Sequence, residues 1–402
     1  MNVLMFGWEF APMFSGGLGV VCKSLTNELL RQNVGVTFVI PKKLTDLKSN
    51  ARILSAEEIV GKLKKIEINS ILSPYISEHG YSEEYETIRD KLSRSLYGED
   101  LYQEVSRYTL AAQKIAKKEQ FDLIHAHDWM TFQAGIAAKK ISKKPLIVHI
   151  HNTVFDRGGN NPNHHEYLIE KRGFTEADKI IAVSNYTKNI VETKYGINPN
   201  KIEVVHNAVE MDEEIPIENK IFPKQKMVLF LGRVTMQKGP DYFAKAAKKV
   251  LEVYPNVKFI VAGSGDMQGK MIQYTAEEGI SEHVLFTGAL NRKDAHRAFK
   301  MADLYVMPSI SEPFGVTPLE AAIHGTPSII SKNAGVKEVL PSALQTDFWD
   351  VTEMANKIIG ALKYPALYET MQENMHTDLA KISWEKSANE CQMIYKNVLG
   401  EL

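Results

Sequence analysis

The sequence predicts a two-domain α/β protein, each half a doubly wound parallel sheet. Three observations carry this. At 402 residues the chain is too long for one hydrophobic core. Short apolar runs without polar alternation are each followed by a loop and then by apolar residues at helical spacing, the pattern of buried strands covered by helices on both faces. The pattern then restarts after an acidic, proline-bearing stretch, 211–226, which reads as a linker. The first domain is therefore expected over 1–210 and the second from 211 onward.

Residues 2–6 form the first expected strand, followed by a loop holding Gly16, Gly17 and Gly19 and a helix with Val20, Val21, Leu25 and Leu29 on one face. The loop fits a pyrophosphate or a close helix–strand contact. It does not match the dinucleotide fingerprint, because Cys22 holds the third glycine position. A strand over 34–40 is expected to stop at Pro41. The polar stretch to about residue 100 reads as loops and excursions on the rim. Strands ending at His127, His151 and Ser184 follow, with Asp128, Asn152 and Asn185 just beyond. In open parallel sheets ligands gather at these carboxyl ends.

The histidines raise a metal question. His125 and His127, like His149 and His151, are two apart, which places both rings of a pair on one face of a strand. One histidine of each pair would sit deep in its strand. No set of three or four is expected to close, so no metal site is expected.

In the second half, strand 228–231 leads to Gly232, Arg233, Lys238 and Gly239, and strand 259–262 to Gly263-Ser264-Gly265. Strand 304–307 leads to Ser311-Glu312-Pro313-Phe314-Gly315-Val316-Thr317-Pro318-Leu319-Glu320. Thr317, Pro318 and Glu320 have the spacing of a capping box opening a helix that ends at Gly325. The amides of Gly315, Val316 and Thr317 would lie at its positive end, ready for a phosphate. Arg233 and Lys238 should point toward the same strand ends, two cations suited to a diphosphate. Glu312 is poorly placed to bind an anion and well placed to accept hydrogen bonds from sugar hydroxyls. Each feature has a plainer reading as a solvated charge or a cap.

Composition narrows the classes. A formal net charge of -1 speaks against a nucleic-acid binder working through a broad positive field. Two cysteines, without metal spacing, suit a reducing cytoplasm. No signal peptide and no membrane span is expected.

In combination these motifs resemble GT-B glycosyltransferases of family four, with features similar to bacterial and archaeal glycogen synthases. The matching pieces are Trp8-Glu9-Phe10-Ala11-Pro12 with Gly16-Gly17-Leu18-Gly19, His127-Asp128-Trp129, His151-Asn152, Ser184, His206-Asn207, Gly232-Arg233 with Lys238-Gly239, Gly263-Ser264-Gly265, and Glu312 with Glu320. The resemblance implies two Rossmann-like domains facing a cleft. The N-terminal domain (1–210) lies on the acceptor side and is completed by a returning helix over 383–402, and 211–382 bind the nucleotide-sugar. It implies that Glu320 binds the ribose and Glu312 the donor sugar's hydroxyls. Arg233 and Lys238 would hold the diphosphate together with amides near Gly16, Gly17, Gly263, Gly315, Val316 and Thr317. His151 would sit beside the anomeric carbon and Asp128 near the acceptor. Transfer would retain the anomeric configuration and need no cofactor or metal, consistent with the lack of an Asp-x-Asp triplet.

The expected enzyme is a glycogen synthase-like hexosyltransferase moving glucose from UDP-glucose or ADP-glucose to an α-glucan. Phe14 stands where the ADP-glucose-using synthases carry lysine, so both donors stay open. The alternative is a family-four enzyme making a disaccharide or sugar phosphate of the trehalose or sucrose type. A glycosidase using Glu312 and Glu320 is disfavoured because both lie on one loop–helix unit. A non-catalytic sensor could dispense with His151 and Glu312, and both are present.

Overall fold

The structure is a computed structural model and describes residues 1–10, 17–42, 63–69, 100–159, 161–210 and 220–401. Gly16, Phe14 and the linker residues 211–219 lie outside these. The described chain forms two compact units. Unit 1 comprises Met1–Val183, Thr187–Asn207 and Trp384–Leu402; unit 2 comprises Ala208–Ser383 with Ser184–Tyr186.

Unit 1 is built on seven parallel strands: β1 (Asn2–Phe6), β2 (Gly35–Lys42), β3 (Leu63–Asn69), β4 (Leu123–His127), β5 (Leu146–Ile150), β6 (Lys179–Ala182) and β7 (Ile202–Val204). They lie in the order β3-β2-β1-β4-β5-β6-β7. The helices are α1 (Gly17–Arg31), α2 (Leu101–Lys118), α3 (Trp129–Ser142), α4 (Val154–Gly158), α5 (His164–Glu176) and α6 (Asn185–Tyr195). Val3, Leu4, Met5 and Phe6 are fully buried, as unalternating apolar strands require.

Two expectations fail here. β2 runs through Pro41, which pairs with Ile68 of β3, so the strand does not stop at the proline. β3 itself lies in the stretch expected to be only loops. Its sequence, with Lys64, Lys65 and Glu67, is polar because β3 ends the sheet, and edge strands carry charge.

Unit 2 holds six parallel strands: β8 (Lys226–Leu231), β9 (Val257–Ala262), β10 (Val284–Gly288), β11 (Leu304–Met307), β12 (Ser328–Ser331) and β13 (Leu344–Thr346). Their order is β10-β9-β8-β11-β12-β13. The helices are α7 (Pro240–Val253), α8 (Gln268–Glu277), α9 (Arg292–Met301), α10 (Thr317–Ile323), α11 (Val351–Lys363) and α12 (Pro365–Leu379). Phe243, Ala247 and Val250 of α7 pack with Phe230 and Phe259 in one core.

The last helix, α13 (Trp384–Leu399), belongs to unit 1 and returns to it as expected. Trp384, Cys391 and Tyr395 are buried. Tyr395 Oη lies 2.7 Å from His125 Nδ1, and Ser387 Oγ donates to His206 O at 2.7 Å. No described helix is long and apolar enough to cross a membrane.

In both sheets the strand order reverses direction once, between β1 and β4 and between β8 and β11. Loops leaving adjacent strands there diverge to opposite faces and open a crevice, the usual ligand position in such sheets.

Candidate functional site

In unit 2 the reversal lies between the loops after β8 and β11. Arg233 Nη2 donates to Gln237 Oε1 at 3.2 Å. Gln237 is buried and donates through Nε2 to Ser311 O at 3.1 Å, while its carbonyl accepts from Ile310 N at 2.9 Å. The β8 loop is thereby tied to the β11 loop. Lys238 Nζ forms an ion pair with Glu312 Oε2, to which Ser309 Oγ also donates at 3.3 Å. Glu312 is only 6% exposed, so Lys238 compensates a carboxylate that is mostly out of water. Two of the expected site residues, Lys238 and Glu312, thus pair across the two loops, and Gln237 ties Arg233 to the same pair of loops.

Two glycines are set by geometry. A Cβ on Gly263 would lie 1.8 Å from Gly232 O, and its amide donates to Gly288 O at 2.8 Å. The β9 loop can pass the β8 loop only without a side chain there. Gly315 has φ +96°, which favours glycine, and folds the chain tightly over Glu312.

The capping box is not formed. α10 is capped at Val316, which has helical angles and makes no side-chain cap bond; Thr317 lies within the helix. Thr317 Oγ1 instead accepts from Tyr305 Oη at 2.7 Å. An N-cap needs extended angles, and the buried phenol takes the hydroxyl inward. The Tyr305 phenol is pushed up by burial first, against the Thr317 bond, and further by the Glu312 and Glu320 carboxylates. Both glutamates therefore lie near this one ring.

In unit 1 the reversal lies between the loops after β1 and β4. Asp128 has φ 59° and ψ 169°, an unusual conformation for a residue other than glycine. It is held by its amide donating to His149 O at 2.9 Å. Its Oδ1 accepts from His151 N at 2.7 Å and Asn152 N at 3.4 Å, so it fixes the turn that carries His151. Burial raises its pKa to about 7, opposed by the His151 amide and the Arg157 charge and reinforced by Glu170.

Beside Asp128 is a cavity of about 280 Å³ lined by Trp8, Glu9, Trp129, Asn152, Arg157 and Glu166, among others. Trp8 and Trp129 meet edge to face, with centroids 6.3 Å apart. Glu9 Oε2 accepts from Gly19 N at 3.0 Å, so the positive end of α1 carries the chain's own carboxylate. Gly17 opens that helix and is exposed. Arg157 is paired with two carboxylates and a carbonyl. Its Nη1 donates to Asn152 O at 2.6 Å, and its Nη2 to Glu166 at 2.7 Å and Glu170 at 2.8 Å. Arg157 and Glu166 have no motif signal, because their meaning depends on which helix of the fold faces which.

His151 is half-buried, with Nε2 3.0 Å from His127 Nδ1. The rings of His125, His127, His149 and His151 stack along β4 and β5, with neighbouring centroids 4.1 to 5.4 Å apart. Burial pushes His127 down to about 3 and the other three well below the ordinary histidine value, so all four are neutral near pH 7. His125, His127 and His149 bring one ring nitrogen each within 4.8 Å of the others, on rings that lie near-parallel. The register that places His127 opposite His149 is what spacing within one strand could not reveal.

Residues 15–213 match the family described as Glycosyltransferase Family 4, and residues 211–378 match Glycosyl transferases group 1. An uncharacterized glycosyltransferase of Methanocaldococcus jannaschii is 28% identical over 98% of each chain. A D-inositol 3-phosphate glycosyltransferase of a Mycobacterium species is 28% identical over 63% of this chain and 62% of that protein. Among solved structures, sucrose-phosphate synthase from Thermosynechococcus elongatus aligns over the full length of both chains, with TM-score 0.78 and 17% identity.

Proposed function

We propose that this chain, whose two halves match glycosyltransferase family models and whose fold is of the GT-B type, moves glucose, with retention, from UDP-glucose or ADP-glucose to a hydroxyl of an uncharged acceptor, an α-glucan first among them. The observation that carries the acceptor class is the neutralisation of Arg157 by two carboxylates. Arg157 is the one Lys or Arg among the described residues lining the cavity of unit 1, and its charge is already matched by Glu166 and Glu170, while Asn152 O accepts from its Nη1. A phosphate there would meet Glu9 and Glu166 with no uncompensated cation to offset them. A neutral sugar would find carboxylates to accept from its hydroxyls and tryptophan surface for its C–H faces.

On the donor side, Arg233 and Lys238 bind the diphosphate, with the amides of Gly315, Val316 and Thr317 and the loop at Gly263 completing its cradle. They stabilise the charge that grows on the leaving group, so no Mg²⁺ or Mn²⁺ is needed at that step. Glu320 accepts from the ribose hydroxyls. Glu312 accepts from the donor sugar, and Lys238 loosens from it as the diphosphate arrives. His151 sits beside the anomeric carbon, its turn held by Asp128. The two cysteines are buried and unpaired, which suits a cytoplasmic enzyme.

The inositol 3-phosphate relative favours a second reading, in which the acceptor carries a phosphate. One experiment separates them. The protein is given UDP-glucose or ADP-glucose with glycogen, with maltooligosaccharides, or with sugar and inositol phosphates, and nucleotide release is followed with and without chelator. Faster release with the neutral acceptors, unchanged by chelation, is expected. Release only with phosphorylated acceptors overturns the acceptor assignment, and activity restored specifically by Mg²⁺ or Mn²⁺ overturns the role given to the two cations.

A further inference from the structure

We propose that His127 is a positioning residue for His151: its Nδ1–H donates to His151 Nε2, which fixes that ring and leaves its single proton on Nδ1, the nitrogen left for a substrate. Its catalytic meaning rests on the placement of His151 beside the reacting sugar. The geometry at the ends of β4 and β5 carries the contact itself. His127 Nδ1 lies 3.0 Å from His151 Nε2. Their centroids are 5.3 Å apart and their planes differ by 22°, so these two rings meet edge to edge, nitrogen facing nitrogen. The pairs along each strand meet differently, face over face, at 4.3 Å for His125 and His127 and 4.1 Å for His149 and His151.

The direction of that bond follows from what surrounds His127. The residue is 0% exposed, with His125 against one face of its ring and Phe38 beyond it. Its Nε2 is buried and has no partner among the described residues. A neutral imidazole carries one proton, on one nitrogen or the other. With that proton on Nε2, His127 would bury an N–H with nothing to donate to. With it on Nδ1, the N–H is satisfied by His151 and only a lone pair is orphaned. Among backbone groups an orphaned buried donor is rarer than an orphaned acceptor, and an imidazole obeys the same electrostatics. His151 Nε2 is thus the acceptor, and its own proton must stand on Nδ1.

Two consecutive residues therefore hold His151 in two ways. Asp128 Oδ1 accepts from its backbone amide at 2.7 Å, and His127 donates to its ring. The second hold decides chemistry as well as place. With its proton outward, His151 donates a hydrogen bond to a substrate oxygen and presents no lone pair there to take up the acceptor's proton. The opposite tautomer would make the same ring an acceptor and a candidate base.

Protein isotopically labelled at the histidine ring nitrogens reports the tautomer directly in a proton–nitrogen correlation spectrum, read at neutral pH without substrate. His151→Ala identifies the His151 signals by their loss. A protonated Nδ1 and a bare Nε2 are expected for His151, and a proton on Nε2 overturns the proposal. Turnover is then compared at saturating UDP-glucose or ADP-glucose with whichever acceptor releases nucleotide fastest. His127→Phe keeps a flat ring and removes the donor. It should lower kcat roughly 10–100-fold, the scale of a misplaced catalytic group, with little change in KM for the nucleotide-sugar. His127→Asn, whose amide nitrogen reaches nearly the position of Nδ1, should recover most of that loss. Natural kcat in His127→Phe overturns the proposal, as does a folded His127→Asn no faster than a folded His127→Phe. Should His127→Phe fail to fold, the spectrum of the natural protein decides. Should His151→Ala itself keep natural kcat, the placement of His151 beside the sugar falls, while the spectrum still decides whether His127 donates to it.

Discussion

The two sheets share a strand order through their first six positions, yet treat polar groups at their carboxyl ends in opposite ways. At the ends of β8 and β11, charges are kept: Arg233, Lys238 and Glu312 are half-buried to buried, with Lys238 and Glu312 paired across two loops and Arg233 held by Gln237. At the ends of β4 and β5, charge is suppressed: four histidines are neutral, and burial holds the Asp128 carboxyl at about 7. A diphosphate needs fixed cations that cost no reorganisation when charge develops, whereas a sugar hydroxyl needs neutral donors and acceptors of fixed direction. The common scaffold thus accommodates two polar strategies, set by the residues just beyond its strands.

The sharpest way to break this comparison is to remove the fixed cations. Arg233→Ala and Lys238→Ala are each expected to lower kcat by roughly 10²-fold or more, as does loss of a donor to a developing anion. Lys238→Ala also leaves the buried Glu312 carboxylate without its ion partner, so it should melt lower than Arg233→Ala. Near-normal kcat in either variant removes that residue from the diphosphate site.

Most of this scaffold was legible in the sequence, and the misses have local causes. Unalternating apolar runs located β1, β4, β8 and β11, and the returning helix α13 was placed correctly. β3 was missed because an edge strand is polar, and β2 runs through a proline that would end a central strand. The capping box had the right letters and the wrong partner, since Tyr305 is twelve residues upstream of the hydroxyl it takes. The paired Arg157 and the proximity of the three histidines depend on register and helix packing, which no single segment encodes.

A smaller effect separates the two glutamates around Tyr305. Glu320→Gln should weaken donor and free nucleoside diphosphate alike by about 1–3 kcal/mol, the value of a charged acceptor for a hydroxyl pair. With no capping box to lose, its melting temperature should barely move. Glu312→Gln releases Lys238 from its carboxylate, so free nucleotide should bind as well as before or more tightly while turnover falls. Calorimetric titration beside initial rates distinguishes them. Loss of nucleotide binding in Glu312→Gln alone would reverse the two roles.

The gentlest probe addresses suppressed charge at Asp128. Its folded-state pKa is raised from 3.8 to about 7, so between those values the folded chain keeps a proton that the unfolded chain has released. By linkage, stability falls as pH rises through that window and levels off above it, with a slope of no more than about 1.4 kcal/mol per pH unit. Asp128→Asn retains an oxygen for the amide of His151 and has no proton to lose, so it lacks this slope. The variant should therefore gain on the natural protein as pH rises: its melting temperature relative to wild type should be higher at pH 8 than at pH 5. Arg157 and the backbone bonds act against burial here, and a stronger net pull from them would hold the carboxyl at its ordinary value. In that case the two melting curves would run parallel from pH 5 to pH 8, and unit 1, like unit 2, would be carrying a full charge at its strand ends.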